Sequence, residues 1–184
     1  MSEAPKRPRC WGSEPDAKEQ EFNSCSVCFH KVSCLSCSRP SRIETMLRIA
    51  EVIAERSTCC RRRVGCVLTD KNGRVLSIGH NGVAMGQPHC TDEPCRGAHL
   101  PSGTGLDRCL ALHAEQNALM FCSDIMKIDT CHVTASPCMT CVKLLLNTSC
   151  RTIVFRELYP HTEALKLWTD SGRSWVHHGK TTKV

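Results

Sequence analysis

Two short segments constrain the fold of this chain more than anything else in it: His113-Ala114-Glu115 and Pro137-Cys138-Met139-Thr140-Cys141. One imidazole and two thiolates can hold a zinc ion and leave its fourth position open. That is the arrangement of a catalytic centre, whereas a structural site is closed by a fourth protein ligand. Water activated by such a zinc becomes a nucleophile near neutral pH. A carboxylate two residues beyond the histidine is then free to handle protons. A structural knuckle has no use for that carboxylate, and the downstream segment brings only two cysteines. His113 opens an apolar-periodic run that ends at Phe121 and predicts a helix. Pro137 stands where a second helix would begin, so Cys138 and Cys141 fall on one face of its first turn. Thiolates at the positive end of a helix dipole have lowered pKa values, which favours metal binding.

Composition frames this motif. A chain of 184 residues allows one domain with a short appendage and a sizeable core. Only 4% of the residues are aromatic, so that core must rest on Leu, Ile, Val, Ala, Met and Cys. The net charge of +6 is mild, and much of it sits in Lys6, Arg7, Arg9 and Arg61 to Arg63. It suits a phosphorylated small substrate at least as well as a nucleic-acid surface. The 16 cysteines occur in C-x-x-C pairs and beside histidines, which is metal spacing in a reducing compartment. The N-terminus is polar and Pro-rich, unlike a signal peptide, and no apolar run approaches the length of a membrane span. A cytoplasmic protein without membrane contact is expected.

Residues 1–24 are polar and read as disordered. Residues 25–40 form a small Cys-rich arm. Its Cys25, Cys28, Cys34 and Cys37 are spaced for a structural zinc clip whose main contribution is folding energy. A domain over 41–178 and a tail over 179–184 follow. Ser41 to Arg56 predicts a helix, with Ser41 and Glu44 as a capping box. Ile43, Met46, Leu47, Ala50, Ile53 and Ala54 form its core face. Val64–Leu68 and Val75–Ile78 read as strands joined by an Asn-Gly turn at Asp70–Gly73. Further strands are expected at Thr130–Thr134, Arg151–Phe155 and Ser174–His177, and helices from Cys138 and over Thr162–Thr169. This alternation argues for an α/β protein with a mixed sheet layered by helices.

Three features near these elements are candidates for binding. Arg61, Arg62 and Arg63 are a solvated loop or a phosphate contact; the residues alone do not rank the three, and Arg63 is carried as the candidate. In Gly79-His80-Asn81-Gly82, Asn81 offers both a donor and an acceptor to a sugar or base edge. His89, Cys90, Cys95, His99 and Cys109 lie in a long Gly/Pro-rich loop that needs something to hold it. A second structural zinc, with Cys59 or Cys60 as a further ligand, would do so.

The H-x-E…P-C-x-x-C pattern is the signature of zinc nucleobase deaminases. From about Arg42 to His178 the chain resembles the deoxycytidylate (dCMP) deaminases of the cytidine deaminase superfamily. The resemblance is carried by Arg56-Ser-Thr-Cys59, Val64-Gly65, Gly79-His-Asn-Gly82, His89-Cys90-Thr-Asp-x-x-Cys95, His113-Ala-Glu-x-Asn-Ala118 and Ser136-Pro-Cys-x-x-Cys141. The zinc motif suits any member of the superfamily; the Gly-His-Asn-Gly and His-Cys-x4-Cys stretches are similar to the dCMP branch with its extra structural zinc. This resemblance implies a three-layer α/β/α fold around a five-stranded mixed sheet. It implies that His113, Cys138 and Cys141 hold the catalytic zinc and that Glu115 shuttles protons. Asn81, Ala114 and Arg63 would meet the substrate, and Cys59, Cys90, Cys95 and Cys109 would hold a second zinc. The implied reaction converts dCMP to dUMP and ammonia, supplying dUMP for thymidylate synthesis. Relatives are commonly homo-hexamers, activated by dCTP and inhibited by dTTP.

The chain departs from the family in places. His80 stands where the family usually has Tyr, Asp124 lies where regulated relatives can carry a basic residue, and the Cys25–Cys37 arm has no expected counterpart. Two other readings compete. A deaminase of cytosine or adenine in nucleic acid needs a basic groove with aromatic stacking surfaces. One Tyr, three Trp and four Phe are present, with Trp11 and Phe22 already in the N-terminal segment, so nucleic acid is disfavoured. A non-catalytic zinc-binding module is disfavoured by the intact His-x-Glu and Pro-Cys-x-x-Cys.

Overall fold

A computed structural model describes residues 39–101, 104–105, 108–159 and 161–179. Cys25, Cys28, Cys34 and Cys37, the 1–24 segment and residues 180–184 lie outside the described residues. The order of elements is α1 (Arg42–Ala54), β1 (Gly65–Thr69), β2 (Val75–His80), β3 (Gly82–Val83), β4 (Ala111–Leu112), α2 (Ala114–Met120), β5 (Thr130–Ala135), α3 (Met139–Leu146), β6 (Thr152–Glu157), α4 (Thr162–Asp170) and β7 (Ser174–His177). One sheet runs β2-β1-β5-β6-β7. β1 is antiparallel to both β2 and β5, while β5, β6 and β7 are parallel. This is the expected five-stranded mixed sheet.

Side-chain alternation along the strands explains the layers. Cys66 and Leu68 of β1, Cys131 and Val133 of β5, and Ile153 and Phe155 of β6 join one buried cluster with Ala114 and Ala118 of α2, Val142 and Leu145 of α3, and Ala164 and Trp168 of α4. The intervening residues point to the opposite face, where Leu47, Ala50 and Ala54 of α1 are buried. All five residues of β1 are buried as a result, the mark of a strand covered on both sides. The predicted apolar face of α1 is narrower than its periodicity implied: Ile43 is 36% exposed.

Two strand glycines set how closely the helices approach. A Cβ on Gly65 would run into the Ala50 carbonyl and the Ala54 backbone nitrogen of α1. A Cβ on Gly79 would run into Ala114 O and Ala118 N of α2. The second contact fixes the helix that begins just after His113. The small β3–β4 pair was not expected, because two-residue strands carry no readable periodicity. It pairs Gly82 with Leu112 and Val83 with Ala111. The Asn81 loop is thereby tied to the residues that lead into His113.

An ion network closes the α1 face. The Arg156 side chain, 3% exposed, pairs through Nη1 with Glu44 Oε2 at 2.9 Å and through Nε with Glu51 Oε1 at 2.9 Å. Glu44 also accepts from Arg48 at 2.7 Å. The Arg156 guanidinium chiefly holds the Glu44 carboxyl down at about 2. On the same face burial pushes the His132 imidazole down to about 4.

Two tests follow from this packing. Gly79→Ala should lower stability by about 1–3 kcal/mol through overpacking of helix against strand, read as a fall in denaturant midpoint. Thermal melts across pH should show an acid loss in two stages. The unfolded chain protonates His132 first, so its contribution is present above the ordinary 6.5 and is lost as pH falls toward 4. The Glu44 contribution is present above the ordinary 4.5 and is lost as pH falls toward 2. His132→Asn should flatten the upper stage and leave the lower one.

Candidate active site

His113 and Cys138 occupy equivalent positions in two different segments. His113 is the N-cap of α2 and Cys138 is the N-cap of α3, both in extended backbone conformation. The His113 backbone N–H donates to Gln116 Oε1 at 2.7 Å, which anchors the start of α2. The Asn117 amide donates to His80 O at 2.7 Å and ties that helix to the end of β2. Cys138 follows directly from β5 through Ser136 and Pro137, and Cys141 lies one turn into α3.

These caps bring three donors together. His113 Nδ1 is 3.4 Å from Cys138 Sγ and 3.4 Å from Cys141 Sγ. With Zn–N near 2.0–2.1 Å and Zn–S near 2.3 Å, a tetrahedral site has N···S edges of about 3.5 Å, so the three residues fit the ion. Cys141 donates its thiol hydrogen bond to Cys138 and pulls that thiol down to about 3, assisted by His113. The Cys141 thiol is pushed far up by the same interaction. The pair therefore shares one proton that a bound metal would displace. The Cys138 interaction also raises the His113 imidazole. Glu115 is 3% exposed, and burial raises its carboxyl above the ordinary carboxylate value, with His113 opposing.

The donors open into a cleft that is continuous with solvent. Its lining holds several residues expected from sequence: His113, Ala114, Glu115, Cys138, Asn81, Cys59 and Cys109. Asn81 is buried, and its amide already engages the backbone of the arginine loop. Its Nδ2 donates to Arg62 O at 2.7 Å, and its Oδ1 accepts from Val64 N at 2.8 Å. Arg63 is exposed and does not line the cleft, whereas Arg61 and Arg62 do. Arg61 donates to Pro101 O and, at 2.9 Å, to Thr104 O.

Of the four thiols expected for a second zinc, Cys109 lies within electrostatic reach of Cys59 and Cys95. Cys90 Sγ and Cys95 Sγ stand 3.7 Å apart, while Cys59 and Cys109 face the cleft. Cys60 donates instead to Cys90 O at 2.7 Å. Among the described residues, His113, Cys138 and Cys141 form the group of donors that could share one ion.

Tyr159 and His161 also line the cleft and were missed from sequence. Their rings meet at 4.7 Å between centroids. They follow β6, whose parallel neighbour β5 leads into Cys138. Ligands gather beyond the carboxyl ends of parallel strands, so the chain's single Tyr just after a predicted strand was the available signal.

The sequence model of the cytidine and deoxycytidylate deaminase zinc-binding region matches residues 40–157. The chain is 36% identical over 139 residues to a deoxycytidylate deaminase of Schizosaccharomyces pombe, a match that covers 69% of this chain and 41% of the relative. This chain thus spans less than half of that relative's length. It is 37% identical over 125 residues to a deoxycytidylate deaminase of Mycobacterium phage D29, covering 64% of this chain and 96% of the phage protein. The crystal structure of dCMP deaminase from the cyanophage S-TIM5, in complex with dCMP and dUMP, superposes with a TM-score of 0.59 at 27% identity. That superposition covers 76% of this chain and 98% of the phage chain.

Removing one donor should abolish tight metal binding without unfolding the sheet. Cys138→Ala should lose stoichiometric zinc on dialysis, read by mass spectrometry of the metal, whereas Glu115→Gln should retain it. A Cys138→Ala protein that keeps its zinc would show that the three donors do not form the site.

Proposed function

Because the chain belongs to the zinc-binding cytidine and deoxycytidylate deaminases, we propose that it removes the 4-amino group of dCMP by hydrolysis, giving dUMP and ammonia. The observation that carries this reading is the grouping of one imidazole and two thiols at a cleft lined by His113, Cys138, the buried Glu115 and two arginines. His113, Cys138 and Cys141 hold the zinc in this reading. When bound, the metal supplies the Lewis acidity that makes water a nucleophile near neutral pH.

The chain's own residues supply the rest. Glu115 takes the proton that the attacking water gives up and delivers it to ring N3 as C4 is attacked. It then takes the proton of the new C4 hydroxyl and delivers it to the departing amine, which leaves as ammonia, with the 4-keto group left behind. General acid–base help of this kind is typically worth about 10²–10⁴-fold. The raised carboxyl of Glu115 suits both duties, because burial eases the uptake of the proton that it must carry. Ala114, between ligand and carboxylate, leaves room for the base beside the metal. Asn81 holds the arginine loop and keeps one N–H and one lone pair for the sugar. Arg61 and Arg62 face the 5′-phosphate, a choice among Arg61, Arg62 and Arg63 that the sequence alone had left open.

The dUMP so formed would feed thymidylate synthesis. The exposed Met120, Phe121, Ile125 and Met126 at the end of α2 support self-association, in line with the homo-oligomer implied by resemblance. Control by dCTP and dTTP belongs to the same reading. Among the described residues no helix is long and apolar enough to cross a membrane. A structural zinc on the Cys25–Cys37 arm would show as metal content that is lost when residues 1–40 are removed.

Ammonia release from dCMP, deoxycytidine and a cytosine-containing oligonucleotide tests the substrate. A charge-assisted phosphate contact is worth about 1.5–3 kcal/mol, so dCMP should be preferred over deoxycytidine by roughly 10- to 100-fold in kcat/KM. Glu115→Gln should lose at least about 100-fold in kcat. Activity on the oligonucleotide alone would overturn the substrate assignment, and silence of the zinc-loaded protein on all three would favour a binding module.

A further inference from the structure

Glu157 is the last residue of β6 and does not line the cleft. Its carboxylate nevertheless grips a side chain that does: Arg62 Nη2 donates to Glu157 Oε2 at 2.7 Å. The Arg62 guanidinium also lies over the Tyr159 ring, 5.0 Å from its centroid. Below the guanidinium, Arg62 O accepts from the buried Asn81 amide. One arginine is thus held at its backbone, at its flat face and at one edge. A guanidinium has five N–H donors in a planar fork, so an edge satisfied by Glu157 leaves others for an anion in the cleft.

The holding groups are themselves fixed. Tyr159 N–H donates to Ser136 Oγ at 2.7 Å, and Ser136 Oγ donates to Tyr159 O at 3.2 Å. Ser136 N–H donates to Glu157 O at 2.9 Å. Glu157, Tyr159 and Ser136 therefore form one rigid corner at the ends of β5 and β6, two residues from the metal ligand Cys138. An unbound arginine on a loop samples many rotamers, all but a few of which must be given up when it meets a ligand. A side chain already held in place loses less on binding.

We propose that Glu157 is a positioning residue that sets the affinity for phosphorylated substrates by holding Arg62 against Tyr159 at the wall of the cleft. The inference rests on the reading of a nucleoside monophosphate as substrate. Glu157 touches neither the base nor the reacting carbon, so its effect is on binding shared by ground and transition states, which appears in KM. The Arg62 and Glu157 side chains are 28% and 62% exposed. Solvent screening limits such a pair, so the effect of losing it is about three- to fivefold.

Steady-state kinetics with dCMP on the zinc-loaded full chain tests this with Glu157→Ala, Glu157→Gln, Arg62→Ala and the Glu157→Ala/Arg62→Ala pair. Glu157→Ala should raise KM about three- to fivefold, with the loss carried by KM and not kcat. Glu157→Gln keeps an acceptor oxygen at the same reach and should recover most of that loss. Arg62→Ala should raise KM at least as much, and the double variant should be no worse than Arg62→Ala alone, since both changes remove one interaction. Inhibition by inorganic phosphate should weaken in the same order. A Glu157→Ala protein with unchanged or lower KM, a loss carried by kcat, or additive losses in the double variant would each overturn the proposal while leaving the substrate reading intact. If Arg62→Ala leaves KM and phosphate inhibition at wild-type values, the phosphate end of the substrate reading fails, and the role of Glu157 fails with it.

Discussion

Three donor atoms must stand within about 4 Å of one another for a single tetrahedral ion to take them, and the body of the protein brings His113 Nδ1 to 3.4 Å from each of the two thiols. The donors come from segments 25 residues apart. His113 and Cys138 are placed by the same device, a residue in extended conformation that caps a helix, and Cys141 follows one turn into α3. β5 delivers Cys138 directly. His113 is delivered less directly, through the β3–β4 pair and through the seating of α2 on Gly79. A shift of either helix by an ångström would spoil the coordination distance, so the glycine in β2 matters as much to the centre as the ligands do.

Burial gives that centre its chemistry. A carboxylate at 3% exposure is costly to keep charged unless a cation is near. Here desolvation raises Glu115, and the adjacent His113 opposes it. The result is a carboxyl held above its ordinary value beside the three grouped donors. The two thiols show the complementary effect: one proton between them lowers Cys138 and raises Cys141. The opposite face of the sheet contributes stability instead. There a nearly inaccessible arginine joins α1 to β6 through Glu44 and Glu51, and the chemistry of the cleft is untouched by it.

The outer part of the cleft is built differently. Its arginines sit on a loop with no regular structure, and they are restrained by neighbours one at a time. Arg61 is held by backbone carbonyls of the 97–105 stretch, Arg62 by Glu157, Tyr159 and Asn81. A loop braced in this way can present charge to a ligand without the entropy loss that a free loop would suffer. The division between a deep centre on helix caps and a braced loop at the mouth matches the two ends of a nucleotide, a flat base that reacts and a charged group that anchors.

The sequence by itself determined the sheet, most helix bounds and the three side chains, His113, Cys138 and Cys141, that the fold groups together. These follow from short-range physics: strand alternation, helical periodicity, an Asn-Gly turn and a ligand motif whose residues have few other uses together. The last strand, Ser174–His177, was read to the residue. The tertiary structure alone decided which polar side chains near the motif face the cleft. Arg61, Arg62 and Arg63 are equivalent in sequence, and only the folded loop decides that the first two line the cleft while Arg63 is exposed. Tyr159 and His161 are remote from the motif in the chain and come to it because β6 lies parallel beside β5. Spacing reports which atoms can meet, while long-range packing selects which ones do.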